Sequence, residues 1–244
     1  IKEGDEIITT PLTFCSTVNS ILHVGATPVI ADINQKTLNI DPKEIEKNIT
    51  KKTKAVIIVH FAGKVCDVDQ IRKICKKNKI FLIEDCAHAI ETKLNNKYAG
   101  NFGDFGCFSF YVTKNLSTGE GGMIVTNKKK AIKELRTMSL HGMDKDAWKR
   151  YGKSGFKHYD IVKAGFKFNM SDIHASIGIH QLKNIEKAWK KRELIWKTYI
   201  NEFKNLPLIL PQSIPKNEKH SYHLFCMIVK DHSVREKLLN YLQK

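Results

Sequence analysis

Short apolar runs of strand length alternate with helix-like segments through the first two thirds of the chain. The runs are continuous and rich in Ile and Val, which is typical of strands that are buried on both faces of a parallel sheet. We predict strands at residues 6–9, 27–33, 55–59, 80–83 and 106–110. Helices are predicted between them at residues 16–23, 41–49 and 68–77. The pattern therefore predicts an α/β fold in three layers, with a mainly parallel sheet and helices on both faces.

The pattern becomes helical after residue 171. A periodic apolar segment at residues 174–182 leads into a stretch rich in Lys and Glu that reaches Phe203. A short apolar strand at 224–229 and an amphipathic helix from residue 234 follow. We predict a large ligand-binding domain over residues 1–185, then a linking helix and the beginning of a small α+β domain over residues 186–244.

Composition excludes several classes of protein. Hydrophobic residues make up 42% of the chain and charged residues 27%, as in an ordinary globular domain. No apolar run approaches the roughly 20 residues that cross a bilayer, so we expect no membrane segment. The six cysteines are scattered and none forms a Cys-x-x-Cys pair, so we expect no metal site and a reducing, cytoplasmic location.

The net charge of +16 raises the question of nucleic-acid binding. The lysines occur in short, scattered groups, without regular aromatic residues between them and without an arginine-rich block. Such lysines usually form a solvated surface, so we expect no specific binding of nucleic acid. A non-catalytic regulatory or nucleic-acid-binding protein remains the alternative from another functional class.

Polar residues follow three of the predicted strands. Thr13, Phe14 and Thr17 follow the first strand, His60 follows the third, and Asp85 and His88 follow the fourth. Ligands of open parallel sheets bind at the carboxyl ends of the strands, where these residues are expected to meet. Each residue alone is weak evidence, because Asp or Ser after a strand is most often a helix cap.

Lys114 lies between an apolar strand and a turn that contains Gly119, Gly121 and Gly122. Glycines of this density allow close approach of the backbone and positive φ. Partial burial would lower the pKa of the lysine amine, and a neutral amine can attack a carbonyl carbon. The alternative is a surface lysine in a hairpin.

Several motifs occur in a fixed order along the chain. They are TFCSTVN at 13–19, GATPV at 25–29, VHFAG at 59–63, EDCAH at 84–88, the lysine segment at 108–122, HG at 141–142 and MSDI at 170–173. In this order they resemble the pyridoxal-phosphate (PLP) dependent sugar aminotransferases of the DegT/StrS type, which have the fold type I architecture. The resemblance extends over nearly the whole chain.

The resemblance implies a reaction. It is the PLP-dependent transamination of a nucleotide-diphospho-keto-sugar to an amino sugar, with L-glutamate as amino donor, for the synthesis of a polysaccharide, glycan or related product. A PLP-dependent sugar dehydratase on the same fold is the nearest alternative. The members that dehydrate have histidine in place of the Schiff-base lysine, and Lys114 therefore favours transfer.

The resemblance also implies roles for single residues. Lys114 would form the Schiff base with PLP and then move the proton between the sugar carbon and the cofactor. Asp85 would pair with the pyridinium nitrogen, and His88 would hydrogen-bond the ring oxygen. Phe14 would stack on the pyridine ring, and Ser109 would contact the phosphate. Four residues are implied on the substrate side, namely His60, Tyr111, His141 and His223.

Parts of the family pattern are absent from this sequence. The phosphate-binding loop would precede Ile1 and most of the small domain would follow Lys244, so we expect the chain to be either a fragment or a decayed copy that cannot close its site. The resemblance implies a homodimer with shared active sites, in which an asparagine reaches the neighbouring subunit's cofactor phosphate. Lys167 occupies that position here, and either Lys167 or Asn169 would make the contact.

Overall fold

The computed structural model describes residues 1–143 and 160–243. Its elements follow the chain in this order: β1 (Glu6–Thr9), α1 (Cys15–His23), β2 (Thr27–Ile30), α2 (Pro42–Lys47), β3 (Thr53–Val59), a 3-10 turn (Phe61–Gly63), α3 (Val68–Asn78), β4 (Phe81–Asp85), β5 (Lys93–Leu94), β6 (Lys97–Tyr98), β7 (Phe105–Ser109), β8 (Gly122–Val125), α4 (Lys129–Met138), α5 (Asp172–Phe203), β9 (Leu208–Ile209), β10 (Glu218–Lys219), β11 (Ile228–Val229) and α6 (His232–Leu242).

The central sheet has six strands in the order β2-β1-β3-β4-β7-β8. Neighbouring strands are parallel from β2 to β7, and β8 is antiparallel to β7. The carboxyl ends of β1, β3, β4 and β7 therefore lie at one edge of the sheet. The prediction of a mainly parallel sheet is confirmed.

Alternate residues of the strands pack on opposite faces of the sheet. Ile7 and Ile57 pack with Ile21 of α1 on one face. On the other face, Ile8, Val56, Ile58 and Leu82 pack with the apolar sides of α2 and α3. Each fully buried isoleucine contributes about 1.5–3 kcal/mol relative to an exposed one, so both faces must be covered. Helices on both faces complete the three predicted layers.

Side-chain caps fix where several helices begin. Asp41 accepts a hydrogen bond from Lys43 N, and Pro42 follows it at the first helical position. Asp67 caps α3 and Ser171 caps α5 in the same way, through Gln70 N and His174 N. A cap of this kind contributes about 1 kcal/mol, because it satisfies one of the free N–H groups of the first turn.

The second half of the chain differs in detail from its sequence pattern. The two predicted helical segments form one continuous helix, α5, of 32 residues. The predicted strand at 224–229 is reduced to β11, because Phe225 packs against Trp196, Tyr199 and Phe203 of α5. β10 returns to pair with β5. Residue 185 lies inside α5, and the division into domains there stays a prediction.

Two further findings bear on the class of protein. Within residues 1–143 and 160–243, no helix combines the length and apolar character that a membrane crossing requires. All six cysteine thiols are free. The thiols therefore form no disulfide scaffold, as the sequence indicates.

Candidate active site

Asp85 is the last residue of β4, and its side chain points away from the face on which Glu84 lies. Its Oδ2 accepts a hydrogen bond of 2.9 Å from Thr17 Oγ1, and its Oδ1 accepts one of 3.0 Å from Ala87 N. Thr17 is itself held by Thr13, with 2.7 Å between the two hydroxyl oxygens. The carboxylate is thus fixed in orientation between β4 and the first turn of α1.

Lys114 lies in the loop between β7 and β8. Two backbone hydrogen bonds close this loop, from Thr118 N to Phe110 O at 2.9 Å and from Phe110 N to Gly121 O at 2.8 Å. Gly121 has a φ of +153°, and a Cβ added to it would lie 2.7 Å from Thr118 Oγ1. Glycine is therefore needed at this position. The glycine turn predicted beside the lysine therefore folds the loop back on the sheet.

The Lys114 amine is partly buried. Burial lowers its pKa below the ordinary value of 10.5, and the nearby charge of Asp85 opposes that shift. Asp85 ends β4 and Lys114 follows β7, which pairs with β4, so both residues lie at the same edge of the sheet. The structure therefore brings together the two residues on which the predicted chemistry depends.

Two histidine rings stack beside this lysine. The rings of His88 and His223 have their centroids 4.3 Å apart and are inclined by 29°. Burial, with the neighbouring charges of His223 and Lys114, lowers the pKa of His88 to about 3. Burial and the charges of Lys114 and Arg192 lower the pKa of His223 to about 4. Both imidazoles are therefore neutral near pH 7.

Phe14, Ser109 and Tyr111 lie around the same edge of the sheet. Phe14 precedes α1 and its side chain is 74% exposed, so it is not a core residue. Ser109 ends β7, and its hydroxyl oxygen accepts a hydrogen bond of 3.3 Å from Tyr111 N. Tyr111 is 45% exposed. The proposed contacts of these residues with the cofactor or substrate stay predictions.

His60 is a correction to the predicted site. Its side chain is fully buried, its Nε2 lies 2.9 Å from Glu84 Oε2, and its Nδ1 accepts a hydrogen bond from Cys66 N. Glu84 and Asp85 are consecutive strand residues, so their side chains point to opposite faces of the sheet. A substrate contact by His60 is therefore wrong for this structure, because the ring lies on the Glu84 face.

Cys86 lies close to this buried pair. Ligand-type atoms of His60, Glu84 and Cys86 lie within 4.8 Å of one another. Burial and the negative charges of Glu84 and Asp85 raise the pKa of the Cys86 thiol well above its ordinary value. A thiol must lose its proton to bind a metal, so this group is better suited to hydrogen bonding than to holding a cation.

We expect His60→Phe to destabilise the fold and to leave substrate binding unchanged. The hydrogen bonds from His60, Gly103 and Gly100 outweigh the effect of burial and hold the pKa of Glu84 below its ordinary value. Phenylalanine removes one donor to this buried carboxylate and the acceptor of Cys66 N, at a cost of about 3 kcal/mol. Urea unfolding measures the loss, and Glu84→Leu should cost at least as much, because Gly100 N and Gly103 N then lose their acceptor. A higher KM for the sugar with unchanged stability would restore His60 to the substrate side.

Lys167 and Asn169 line a separate groove of about 1340 Å³ between β8, α4 and the segment that precedes α5. Gly121, Met123 and His174 also line it, and Asp85, His88 and Lys114 do not. His141 lies beside this segment, where its backbone N–H donates a hydrogen bond to Phe166 O at 2.8 Å. The substrate-side role of His141 stays a prediction. A contact of Lys167 or Asn169 with a neighbouring subunit stays a prediction.

The sequence did not identify four residues that hold the site together. Asn115, Glu91, Arg192 and Ser221 form a hydrogen-bonded network next to Lys114. Asn115 stands inside the lysine motif and gave a local signal. Glu91 and Arg192 are 101 residues apart, and only the fold pairs them. By contrast, His220 is a core residue, since it is 3% exposed and packs against Trp196.

The stability of the protein should fall as the pH drops below 6.5. The pKa values of His88, His220 and His223 are lowered by burial to about 3, 3 and 4. Between these values and pH 6.5 the unfolded chain binds protons that the native state does not. Each histidine therefore lowers the free energy of unfolding by about 1.4 kcal/mol for every unit by which the pH falls. Urea unfolding at pH 7, 6 and 5 measures the slope. His223→Phe should reduce it, and replacement of the exposed His23 by Gln should not. A flat profile from pH 7 to 5 would contradict the neutral, buried state of these rings.

The chain is similar to known proteins over most of its length. The model of the DegT/DnrJ/EryC1/StrS aminotransferase family matches residues 1–244. The spore coat polysaccharide biosynthesis protein SpsC of Bacillus subtilis is 45% identical over 231 residues, which cover 95% of this chain and 59% of SpsC. The uncharacterized protein MJ1066 of Methanocaldococcus jannaschii is 47% identical over 229 residues, which cover 94% of this chain and 59% of that protein. The chain thus spans about three fifths of the length of these relatives.

Solved structures share the fold. PseC of Helicobacter pylori, an aminotransferase of pseudoaminic acid biosynthesis, superposes with a TM-score of 0.89 at 32% identity, over 99% of this chain and 63% of PseC. Spr1654 of Streptococcus pneumoniae, provisionally named a sugar aminotransferase, superposes in its PLP form with a TM-score of 0.88 at 32% identity, over 98% of this chain and 64% of that one. These similarities confirm the predicted α/β architecture.

Proposed function

Because the chain belongs to the DegT/DnrJ/EryC1/StrS aminotransferase family, we propose that the protein transfers an amino group to a nucleotide-diphospho-keto-sugar with the help of PLP. The observation that carries the proposal is that Asp85 ends β4, His88 follows it, and Lys114 follows the neighbouring strand β7, all at the carboxyl edge of the sheet. L-glutamate is the proposed amino donor, and an amino sugar is the product.

The residues present suit PLP. Lys114 offers a partly desolvated amine for the cofactor aldehyde. Asp85 offers a carboxylate that Thr17 and Ala87 hold in place for the ring nitrogen. Ala62 N donates to His88 Nδ1 at 3.3 Å, so the neutral ring carries its proton on Nε2 and can donate it to the ring oxygen. When bound, PLP supplies an electron sink for the carbanion at the reacting carbon.

The chain's own residues then bind and move protons. Burial lowers the pKa of the Lys114 amine and so favours its neutral form, which can take a proton from a substrate carbon and return it. Asp85 provides a fixed negative charge that favours a protonated ring nitrogen. Phe14 presents an exposed aromatic face at the N-terminus of α1, where a flat ring can stack.

Similar proteins support a sugar substrate. SpsC is named for spore coat polysaccharide biosynthesis, and PseC acts in pseudoaminic acid biosynthesis. The net charge of +16 would attract an anionic nucleotide-diphospho-sugar. We also propose a homodimer with shared sites, because Phe168, Ile173 and Ile179 expose apolar surface near Lys167 and Asn169. A cytoplasmic location fits such substrates and the free thiols.

The substrate proposal is tested with a panel of nucleotide-diphospho-keto-sugars and ¹⁵N-labelled L-glutamate. We expect one sugar to gain a single ¹⁵N atom in a PLP-dependent reaction, detected by mass spectrometry. Loss of water without gain of nitrogen would instead identify a dehydratase. Reaction with no keto-sugar, although the protein takes up PLP, would contradict the proposed substrate class.

A further inference from the structure

The Asn115 side chain occupies the centre of a polar network beside Lys114. Its Nδ2 donates to Glu91 Oε2 at 3.0 Å and to the carbonyl oxygen of Ser221 at 2.9 Å. A carboxylate and a carbonyl only accept hydrogen bonds, so the orientation of the amide is unambiguous. The amide oxygen therefore faces His223, with 2.9 Å between Asn115 Oδ1 and His223 Nδ1.

This contact determines where His223 carries its proton. Asn115 Oδ1 can only accept, so His223 Nδ1 must donate. The ring is neutral near pH 7, because burial lowers the pKa of His223 to about 4. Its Nε2 therefore bears a lone pair. His88, which stacks on this ring, has the opposite arrangement, since its Nδ1 accepts from Ala62 N and its Nε2 carries the proton.

Asn115 is itself held from several sides. Glu91 is 2% exposed, and its carboxylate is paired with Arg192 of α5. Arg192 Nε also donates to Ser221 O at 3.3 Å, and Ser221 Oγ accepts from Glu91 N at 3.2 Å. The loop that contains Lys114, helix α5 and the segment before His223 are thus joined by hydrogen bonds around the buried Glu91 carboxylate.

We propose that Asn115 is a positioning residue that fixes the tautomer of His223, so that the ring, stacked on His88, presents a hydrogen-bond acceptor at Nε2. The site then presents an N–H donor on His88 and a lone pair on His223. The lone pair on His223 favours a ligand with a hydroxyl or ammonium donor over one with a carboxylate at that position. The tautomer follows from the hydrogen bonds of a neutral ring, and its catalytic consequence rests on the proposed function.

The tautomer is measured directly by long-range ¹H–¹⁵N correlation on the ¹⁵N-histidine-labelled full chain without cofactor. His223→Phe assigns the signals. We expect the Nδ1–H form in the native protein and a shift towards the Nε2–H form in Asn115→Leu. Asn184→Leu is the matched control, because Asn184 contacts His180 on the exposed surface of α5. A native His223 in the Nε2–H form would overturn the proposal without recourse to any variant, as would Nδ1–H retained in a folded Asn115→Leu.

Amination kinetics test the catalytic consequence. In Asn115→Leu we expect kcat to fall by about 10- to 100-fold while attachment of the cofactor to Lys114 persists. Unchanged kcat and KM with a switched tautomer would show that His223 has no part in the reaction. If the native protein aminates no keto-sugar, the proposed function fails, and the tautomer result stands independently.

Discussion

Replacement of Lys114 by alanine is expected to abolish both attachment of PLP and amination. The variant lacks the amine that binds the cofactor aldehyde and the base that moves the proton. General acid–base catalysis alone contributes about 10²–10⁴-fold, and we expect a loss of about 10⁴-fold because both roles disappear. The side chain is only partly buried, so the fold should persist.

Absorbance spectroscopy and borohydride trapping check this expectation. The native protein should show a visible absorbance band with PLP, and the trapped cofactor should be on the peptide that contains Lys114. Lys133→Ala is the control, since Lys133 is an exposed lysine of α4. Cofactor trapped on another lysine would end the assignment. DNA binding with a steep salt dependence and no uptake of PLP would favour the non-catalytic alternative.

Asp85→Asn is expected to retain the cofactor and lose about 10³-fold in amination, the upper end of the range for loss of one electrostatic stabiliser. Asparagine has the same size, and its oxygen can still accept from Thr17 or Ala87. It lacks the charge that favours a protonated ring nitrogen, so the electron sink is weakened. The main effect should therefore fall on kcat.

The Asp85 prediction is checked by measuring kcat, KM and visible absorbance in the same preparations. Asp69→Asn is the control, because Asp69 is an exposed residue in the first turn of α3. A parallel loss of unfolding free energy and of cofactor would show that Asp85 is only a structural partner of Thr17. Full activity in Asp85→Asn would contradict its proposed role.

The sequence predicted the central sheet well, because each of its main strands is a short, continuous apolar run of neighbouring residues. Residues 6–9 form β1 as predicted, and the predicted strand at 55–59 lies inside β3. Helix starts were also readable where an aspartate or serine caps the first turn. The strand predicted at 224–229 was mostly wrong, because the aromatic surface of α5 attracts Phe225, and a strand pattern contains no information about that partner.

The chain by itself determined the α/β class, the order of the elements and the positions of Asp85 and Lys114, since each depends on residues close together in sequence. Tertiary structure decided which face of the sheet each polar residue serves. It directed His60 to Glu84 and brought His223 against His88. It also paired Glu91 with Arg192 across 101 residues. Those choices depend on packing between distant segments, and no local pattern of residues encodes them.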